Sequence, residues 1–276
     1  MTTFTTIISA EALKNLSNPV ILDCRARLGD PEWGLSAYLE GHIAGAQYVN
    51  LDTDLADPPG QLGRHPLPDR DEFLARVKSW GVATDSQVVV YDNVSGAMAA
   101  RAWWMLRWIG HAAVAVLDGG LQSWSEPLST GREPAVAPGD LSLRPSLTQT
   151  ITVDSLVSRI TSDSAPVLLD ARAYNRWAGR EEPIDTVAGH IPGAACMPFQ
   201  ENLDNNGYFK SAEALRARFL EACQADEEVV CYCGSGVTAA HNILAMRIAG
   251  LPEPALYVGS WSGWITNPER PVATAN

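Results

Sequence analysis

Short apolar runs rich in β-branched residues recur along the chain at 20–22, 88–91, 114–117, 167–169, 229–232 and 255–258. Their length and lack of polar alternation suit strands buried on both faces of a sheet. Between them lie segments 71–80 and 97–109, with apolar residues three and four positions apart, a helical spacing. Segments 9–16 and 211–222 open on Ser9 and Ser211, residues suited to capping a helix N-terminus. Strands alternating with helices predict an α/β fold, a mainly parallel sheet with helices on both faces. Ligands of such sheets bind beyond the C-terminal ends of the strands.

The pattern occurs twice. ILDCRA at 21–26 returns as LLDARA at 168–173, and GHIAGA at 41–46 returns as GHIPGA at 189–194. Gly119 and Trp124 of GGLQSW recur as Gly259 and Trp264 of GSWSGW. The landmarks keep their order at a near-constant offset, so the chain reads as two copies of one domain, each of ordinary domain size. The stretch 130–150 is rich in Pro, Gly and Ser. It places the first domain at 1–138, a linker at 139–147 and the second domain at 148–276. Asp23 with Arg25 and His42 recur as Asp170 with Arg172 and His190. Recurrence in both copies assigns them to salt bridges and tight turns rather than to chemistry. Trp103, Trp104, Trp108, Trp124 and Trp264 are assigned to the core.

Composition narrows the class. Hydrophobic residues make up 46% and charged residues 19%, as in globular enzymes. No apolar run approaches the roughly 18 residues of a membrane span, and the N-terminus lacks the basic and apolar regions of a secretory signal. Five cysteines, two of them a residue apart, argue against a disulfide framework and for a reducing cytoplasm. The net charge of −12 disfavours nucleic acid and anionic membranes as partners. It also means that an anionic substrate needs locally gathered positive charge.

The candidate chemistry lies at CYCGSGVTAA, 231–240. The run 229–232 ends at Cys233; Gly234, Ser235 and Gly236 turn the chain, and helical spacing resumes at Val237. A cysteine between a strand end, a Gly-rich turn and a helix N-terminus faces unpaired N–H groups and the positive end of the helix dipole. That setting favours a nucleophile, although a cysteine at a strand end is more often a small packed hydrophobe. A cysteine phosphatase would need Arg five residues beyond the one after Cys, where this chain has Ala239. A metal site is disfavoured because the Cys231–Cys233 pair has no second pair.

CGSGVTA resembles the active-site loop of sulfurtransferases of the rhodanese superfamily, and most of all the branch that acts on 3-mercaptopyruvate. With the internal repeat, the resemblance covers nearly the whole chain. It implies two tandem rhodanese-like domains, with Cys233 as the catalytic cysteine and Gly234, Gly236, Val237 and Thr238 cradling the substrate. It implies no cofactor and no metal. Aligned by the closing helices, Cys233 faces Asn93, so the first copy is expected to be silent. Arg176, followed by Trp177 and Gly179, matches the family's carboxylate-binding Arg. A second Arg found nine residues later in many members is Asp185 here, and Arg180 is the candidate substitute. Ser235, His65 and Asp52 match a proton relay of the 3-mercaptopyruvate branch; their alternatives are a packing role for His65 and a turn role for Asp52. The expected reaction takes sulfur from a small anionic donor onto Cys233 as a persulfide. A thiol, a thioredoxin-type protein or cyanide then accepts it. The alternatives are a thiosulfate sulfurtransferase and a non-enzymatic persulfide carrier. The neutral residues after Cys233 favour 3-mercaptopyruvate over thiosulfate.

Overall fold

The computed structural model describes residues 2–162 and 164–275. By contact the chain separates into two units. The first comprises residues through Asp57, Leu67–Thr148 and Asn205–Tyr208; the second comprises Pro58–Pro66, Gln149–Asp204 and residues from Phe209 onward. Two short stretches are thus exchanged relative to the order of the repeats. Residues 139–147 form no helix or strand, and their backbone N–H groups bond into the first unit, Gly139 to Lys78 O and Leu147 to Arg107 O.

The first unit runs β1 (Ile7–Ile8), α1 (Ala10–Lys14), β2 (Val20–Asp23), α2 (Trp33–Glu40), β3 (Gln47–Tyr48), α3 (Arg70–Ser79), β4 (Val88–Tyr91), α4 (Ala99–Trp108) and β5 (Val114–Leu117). Among the described residues its sheet has five strands in the order β1-β5-β4-β2-β3, every pairing parallel. The second unit runs α5 (Val153–Arg159), β6 (Val167–Asp170), α6 (Tyr174–Trp177), β7 (Ala195–Cys196), α7 (Ala212–Phe219), β8 (Val229–Tyr232), α8 (Ala239–Ile248), β9 (Ala255–Leu256) and α9 (Ser260–Trp264). Its sheet has the order β7-β6-β8-β9, again wholly parallel. Both units are α/β domains with helices flanking the sheet.

The long strands form where the apolar runs predict them. β4 and β8 are buried at every position, as central parallel strands must be. Ser9, Asp69 and Ser211 cap α1, α3 and α7 through their side-chain oxygens. The two-residue edge strands β1, β3 and β7 carry too little pattern to be read from sequence. The segment 174–183, expected as loop, contains the single turn α6. Trp103, Trp104 and Trp264 lie fully inside, as does Trp261, whereas Trp108 and Trp124 are half-buried.

The repeated polar residues tie loops to strand ends. Arg25 forks onto Asp23 and donates to Gly41 O; Arg172 does the same with Asp170 and Gly189 O. His42 stacks on Tyr38, and His190 stacks on Trp177. Such buried ion pairs hold only because both partners are bonded. Among the described residues no helix is long and apolar enough to cross a membrane.

Candidate active site

β8 is a central strand whose C-terminal end delivers Cys233 to the rim of the second unit's sheet. The thiol is buried, at 2% exposure. Its backbone is held from both sides. The Cys233 N–H donates to Ser260 Oγ at 3.1 Å, and Cys233 O accepts from Trp261 N–H at 2.9 Å. Gly234 O accepts from Ser262 N–H at 2.8 Å. Ser260 adopts φ 51°, a left-handed conformation unusual for a residue with a Cβ, and its hydroxyl donates onward to Tyr257 O. Gly236 has φ +79°, which explains a glycine there. The helix α8 begins at Ala239, two residues later than its spacing suggests. Val237 and Thr238 therefore belong to the loop, with Val237 buried and Thr238 half-buried. Thr238 at the N-cap makes no side-chain cap bond; the first helical turn is closed instead by Ala240 N–H donating to Val237 O and His241 N–H donating to Thr238 O, both at 3.2 Å.

Ser235 is brought together with His65. His65 Nδ1 lies 2.7 Å from Ser235 Oγ, and both residues are buried. His65 comes from Pro58–Pro66, the stretch of the first repeat that groups with the second unit. Gly60 and Gly63 exchange two backbone hydrogen bonds of 3.0 Å, making a tight hairpin. Arg64 N–H then donates to Ser262 Oγ on α9. Gly63 has φ +107°, and a Cβ there would come within 2.8 Å of Gly259 O, so glycine is required for the close approach. Asp52 belongs to the first unit, is exposed, and donates its N–H to Asn50 Oδ1 in a turn.

Positive charge gathers beside the loop. A Cβ built on Gly234 would lie 3.0 Å from Arg64 Nη2 and 3.6 Å from both Arg176 terminal nitrogens. Arg180 is exposed and lies over the Tyr174 ring, 5.3 Å from its centroid; the guanidinium atoms nearest Gly234 belong to Arg64 and Arg176 instead. Asp185 ion-pairs with Arg64 and also accepts from Arg176 Nη2 at 3.2 Å. Glu182 accepts from Arg176 at 2.6 Å and pairs with Arg172 at 3.3 Å. Burial raises the Asp185 pKa above its ordinary value, although Arg64 pulls against the rise. Burial also works against the Glu182 carboxylate, but its hydrogen bonds from Arg176 and two backbone N–H groups outweigh burial and hold its pKa below the ordinary value. Sequence reading missed Arg64, which adjoins His65 but carries no signal that it reaches the loop. It missed Ser260 for the same reason. Among the described residues no group of three His, Cys, Asp or Glu side chains gathers to hold a metal.

The first unit has the same strand-loop-helix with different contents. Tyr91 and Tyr232, the last residues of β4 and β8, each accept an N–H through the hydroxyl, from Ile43 and Ile191. Asp92 O accepts from Leu121 N–H as Cys233 O accepts from Trp261 N–H. The residue at the position of Cys233 is therefore Asp92, not Asn93. Helix alignment misses this because the first loop is one residue longer. The buried Asp92 carboxylate accepts four backbone hydrogen bonds of 2.7–2.9 Å, from Val94, Gly96, Met98 and Ala99. The loop framework thus holds an anion, supplied in the first unit by its own side chain.

Comparison with known proteins agrees with this architecture. The pattern described as Rhodanese-like domain matches residues 9–127 and again residues 152–267. A protein of Pseudomonas aeruginosa named "Probable 3-mercaptopyruvate sulfurtransferase" is 46% identical, over 98% of this chain and 98% of its own. A "Thiosulfate sulfurtransferase" of Cricetulus griseus is 36% identical over 82% of this chain and 78% of its own. The solved structure of 3-mercaptopyruvate sulfurtransferase from Leishmania major superposes with a TM-score of 0.84 at 31% identity, covering 95% of this chain and 76% of that one. With the domain pattern matched twice and these relatives aligned along most of its length, the chain belongs to the rhodanese-like family.

Proposed function

We propose that the protein is a 3-mercaptopyruvate sulfurtransferase working through a persulfide on Cys233. The observation that carries the reading is the juxtaposition at the end of β8. Cys233 opens a loop whose next residue lies against two guanidinium groups and whose Ser235 is bonded to His65. In this reading the Cys233 thiolate attacks the donor sulfur, a sulfur–sulfur bond forms, and the donor's carbon–sulfur bond breaks. The bonding pair passes to carbon as the enolate of pyruvate, which takes up a proton to give pyruvate. The donor's thiol proton leaves through Ser235 to His65 Nδ1. An acceptor thiolate or cyanide then attacks the outer sulfur, leaves with it, and restores the Cys233 thiolate. Two half-reactions imply ping-pong kinetics. Loop N–H groups supply preorganised stabilisation for the charged sulfur. Gly234, Gly236, Val237 and Thr238 shape that cradle, and Arg176 binds the donor's carboxylate. Arg180 is kept as a residue at the mouth of the site. Asp52 is retained as the third member of the relay. The first domain is silent in this proposal, since Asp92 replaces the nucleophile.

One observation favours the second reading, a thiosulfate sulfurtransferase. Gly234, Ser235 and Gly236 are neutral, but Arg64 and Arg176 bring to the loop the positive charge that a dianion needs. Steady-state comparison of the two donors decides. We expect at least tenfold higher kcat/KM for 3-mercaptopyruvate, about 1.4 kcal/mol of differential transition-state stabilisation. Equal or better use of thiosulfate overturns the assignment. Intact-mass measurement after donor treatment should find one added sulfur on the wild type and none on Cys233→Ser. Sulfur retained on the variant refutes Cys233 as the carrier.

A further inference from the structure

Asp185 stands in an unusual place for a carboxylate. The protein needs positive charge beside Cys233 to receive an anion, yet an acidic side chain is inserted among the guanidinium groups. One Asp185 oxygen engages Arg64 Nη1 and the other accepts from Arg176 Nη2. A carboxylate with one oxygen on each of two guanidinium groups is the arrangement that a bound carboxylate ligand would adopt. The same two guanidinium groups are the nearest heavy atoms to the open side of Gly234, the residue after Cys233. Glu182 differs from Asp185. Backbone N–H groups of Ile184 and Asp185 donate to it, and it receives both Arg172 and Arg176, so it anchors Arg176 from behind. The side chain of Asp185 is 4% exposed and that of Arg64 28% exposed, so the pair joins a buried anion to a cation with access to water.

We infer that Arg64 and Arg176 together form the clamp for the donor's carboxylate, and that Asp185 occupies this clamp in the empty enzyme as an internal competitor. The inference rests on the donor reading above and adds to it a binding residue from Pro58–Pro66 and a positioning residue, Asp185. An incoming carboxylate takes over guanidinium hydrogen bonds that Asp185 holds. Affinity for the donor is therefore a difference between two similar interactions, which keeps the clamp aligned without binding product tightly. Removing the Asp185 charge has an effect opposite in sign to the loss of a supporting residue, because it strengthens binding.

The test is calorimetric binding of pyruvate, as the carboxylate probe, to the full-length chain carrying Cys233→Ser, which cannot turn over. Adding Asp185→Asn should tighten pyruvate binding about tenfold, and adding Arg64→Ala should weaken it about tenfold, the scale of one charge-assisted hydrogen bond. If Asp185→Asn alone does not fold, the Arg64→Ala, Asp185→Asn pair removes both members of the ion pair. It must then bind pyruvate more tightly than Arg64→Ala does. With Cys233 restored, the same changes should move KM for 3-mercaptopyruvate in the same directions and alter kcat less than about threefold. Unchanged or weaker binding in Asp185→Asn makes Asp185 a structural support and overturns the inference, as does unchanged binding in Arg64→Ala. Should the wild type prefer thiosulfate, the donor reading falls, and the clamp stands or falls on the two binding shifts alone.

Discussion

Replacing His65 by Asn separates a proton relay from a structural contact. The imidazole Nδ1 lies 2.7 Å from Ser235 Oγ in a buried pair. Asn at 65 retains an oxygen able to accept from the Ser235 hydroxyl, but it cannot take up a proton. A neutral hydrogen bond contributes about 0.5–1.5 kcal/mol. If His65 only steadied the loop, even its complete loss would lower kcat/KM by about 2- to 12-fold, equally for every donor. A positioned base contributes about 10²–10⁴-fold where a proton is in flight. 3-Mercaptopyruvate brings a thiol proton that must leave; thiosulfate brings none. His65→Asn should therefore lower kcat/KM for 3-mercaptopyruvate at least 100-fold and that for thiosulfate less than about 10-fold. The assay uses cyanide as the common acceptor, so that thiocyanate formation reports both donors through one product. Persulfide formation, followed by intact mass in a single turnover, should slow for 3-mercaptopyruvate alone. Equal losses for the two donors would refute the relay and reduce His65 to packing.

The other predictions address the scaffold. Ser260→Ala leaves the buried Cys233 N–H without its acceptor at 3.1 Å and should cost about 1–3 kcal/mol in denaturant melts. Ser260→Gly loses the same bond but suits φ 51°, so it should be about 1 kcal/mol more stable than Ser260→Ala; the reverse order would contradict the account of this position. Asp92→Asn cannot accept all four loop N–H groups, and at about 2 kcal/mol for the orphaned donors, hydrogen exchange at 94–99 should accelerate roughly 30-fold. Unchanged protection would mean that the carboxylate does not hold that loop. Burial raises the thiol pKa values of Cys24, Cys196, Cys223 and Cys231, that of Cys196 from 9.0 to about 12, so iodoacetamide near neutral pH should leave these four thiols largely unlabelled. The raised Cys196 pKa contributes stability fully present below pH 9.0 and lost as pH rises towards 12, measurable as a falling denaturation midpoint over that window.

Much of this protein is legible in the sequence because its signals are local or periodic. A four-residue apolar run rich in β-branched residues, such as VVCY followed by Gly-rich sequence, suits a central parallel strand, and β8 lies where that run stands. Repetition of ILDCRA and GHIAGA marks two domains because the same ion pair and the same turn must be rebuilt for each sheet. The loop after Cys233 is legible because glycine at 236 answers to a left-handed backbone and because Cys233 follows the strand directly. Neighbours distant along the chain are another matter. The neutral sequence Gly234-Ser235-Gly236 suggests an uncharged site, yet Arg64 from 170 positions away on the chain, roughly, and Arg176 both stand against Gly234. Sequence spacing contains no distance between segments, so only the folded chain could bring the hairpin 58–66 onto α9 and pair His65 with Ser235. The counterpart of Cys233 was settled the same way. Counting back from the helices gives Asn93, whereas hydrogen bonds at the strand ends give Asp92, because an inserted loop residue shifts numbering but leaves the sheet register intact. The sequence alone determined the fold and the repeat and marked Cys233 as the candidate nucleophile, because these depend on local and repeated patterns along the chain. Tertiary structure decided the charge around the nucleophile, since electrostatics depend on distance through space and not on separation along the chain.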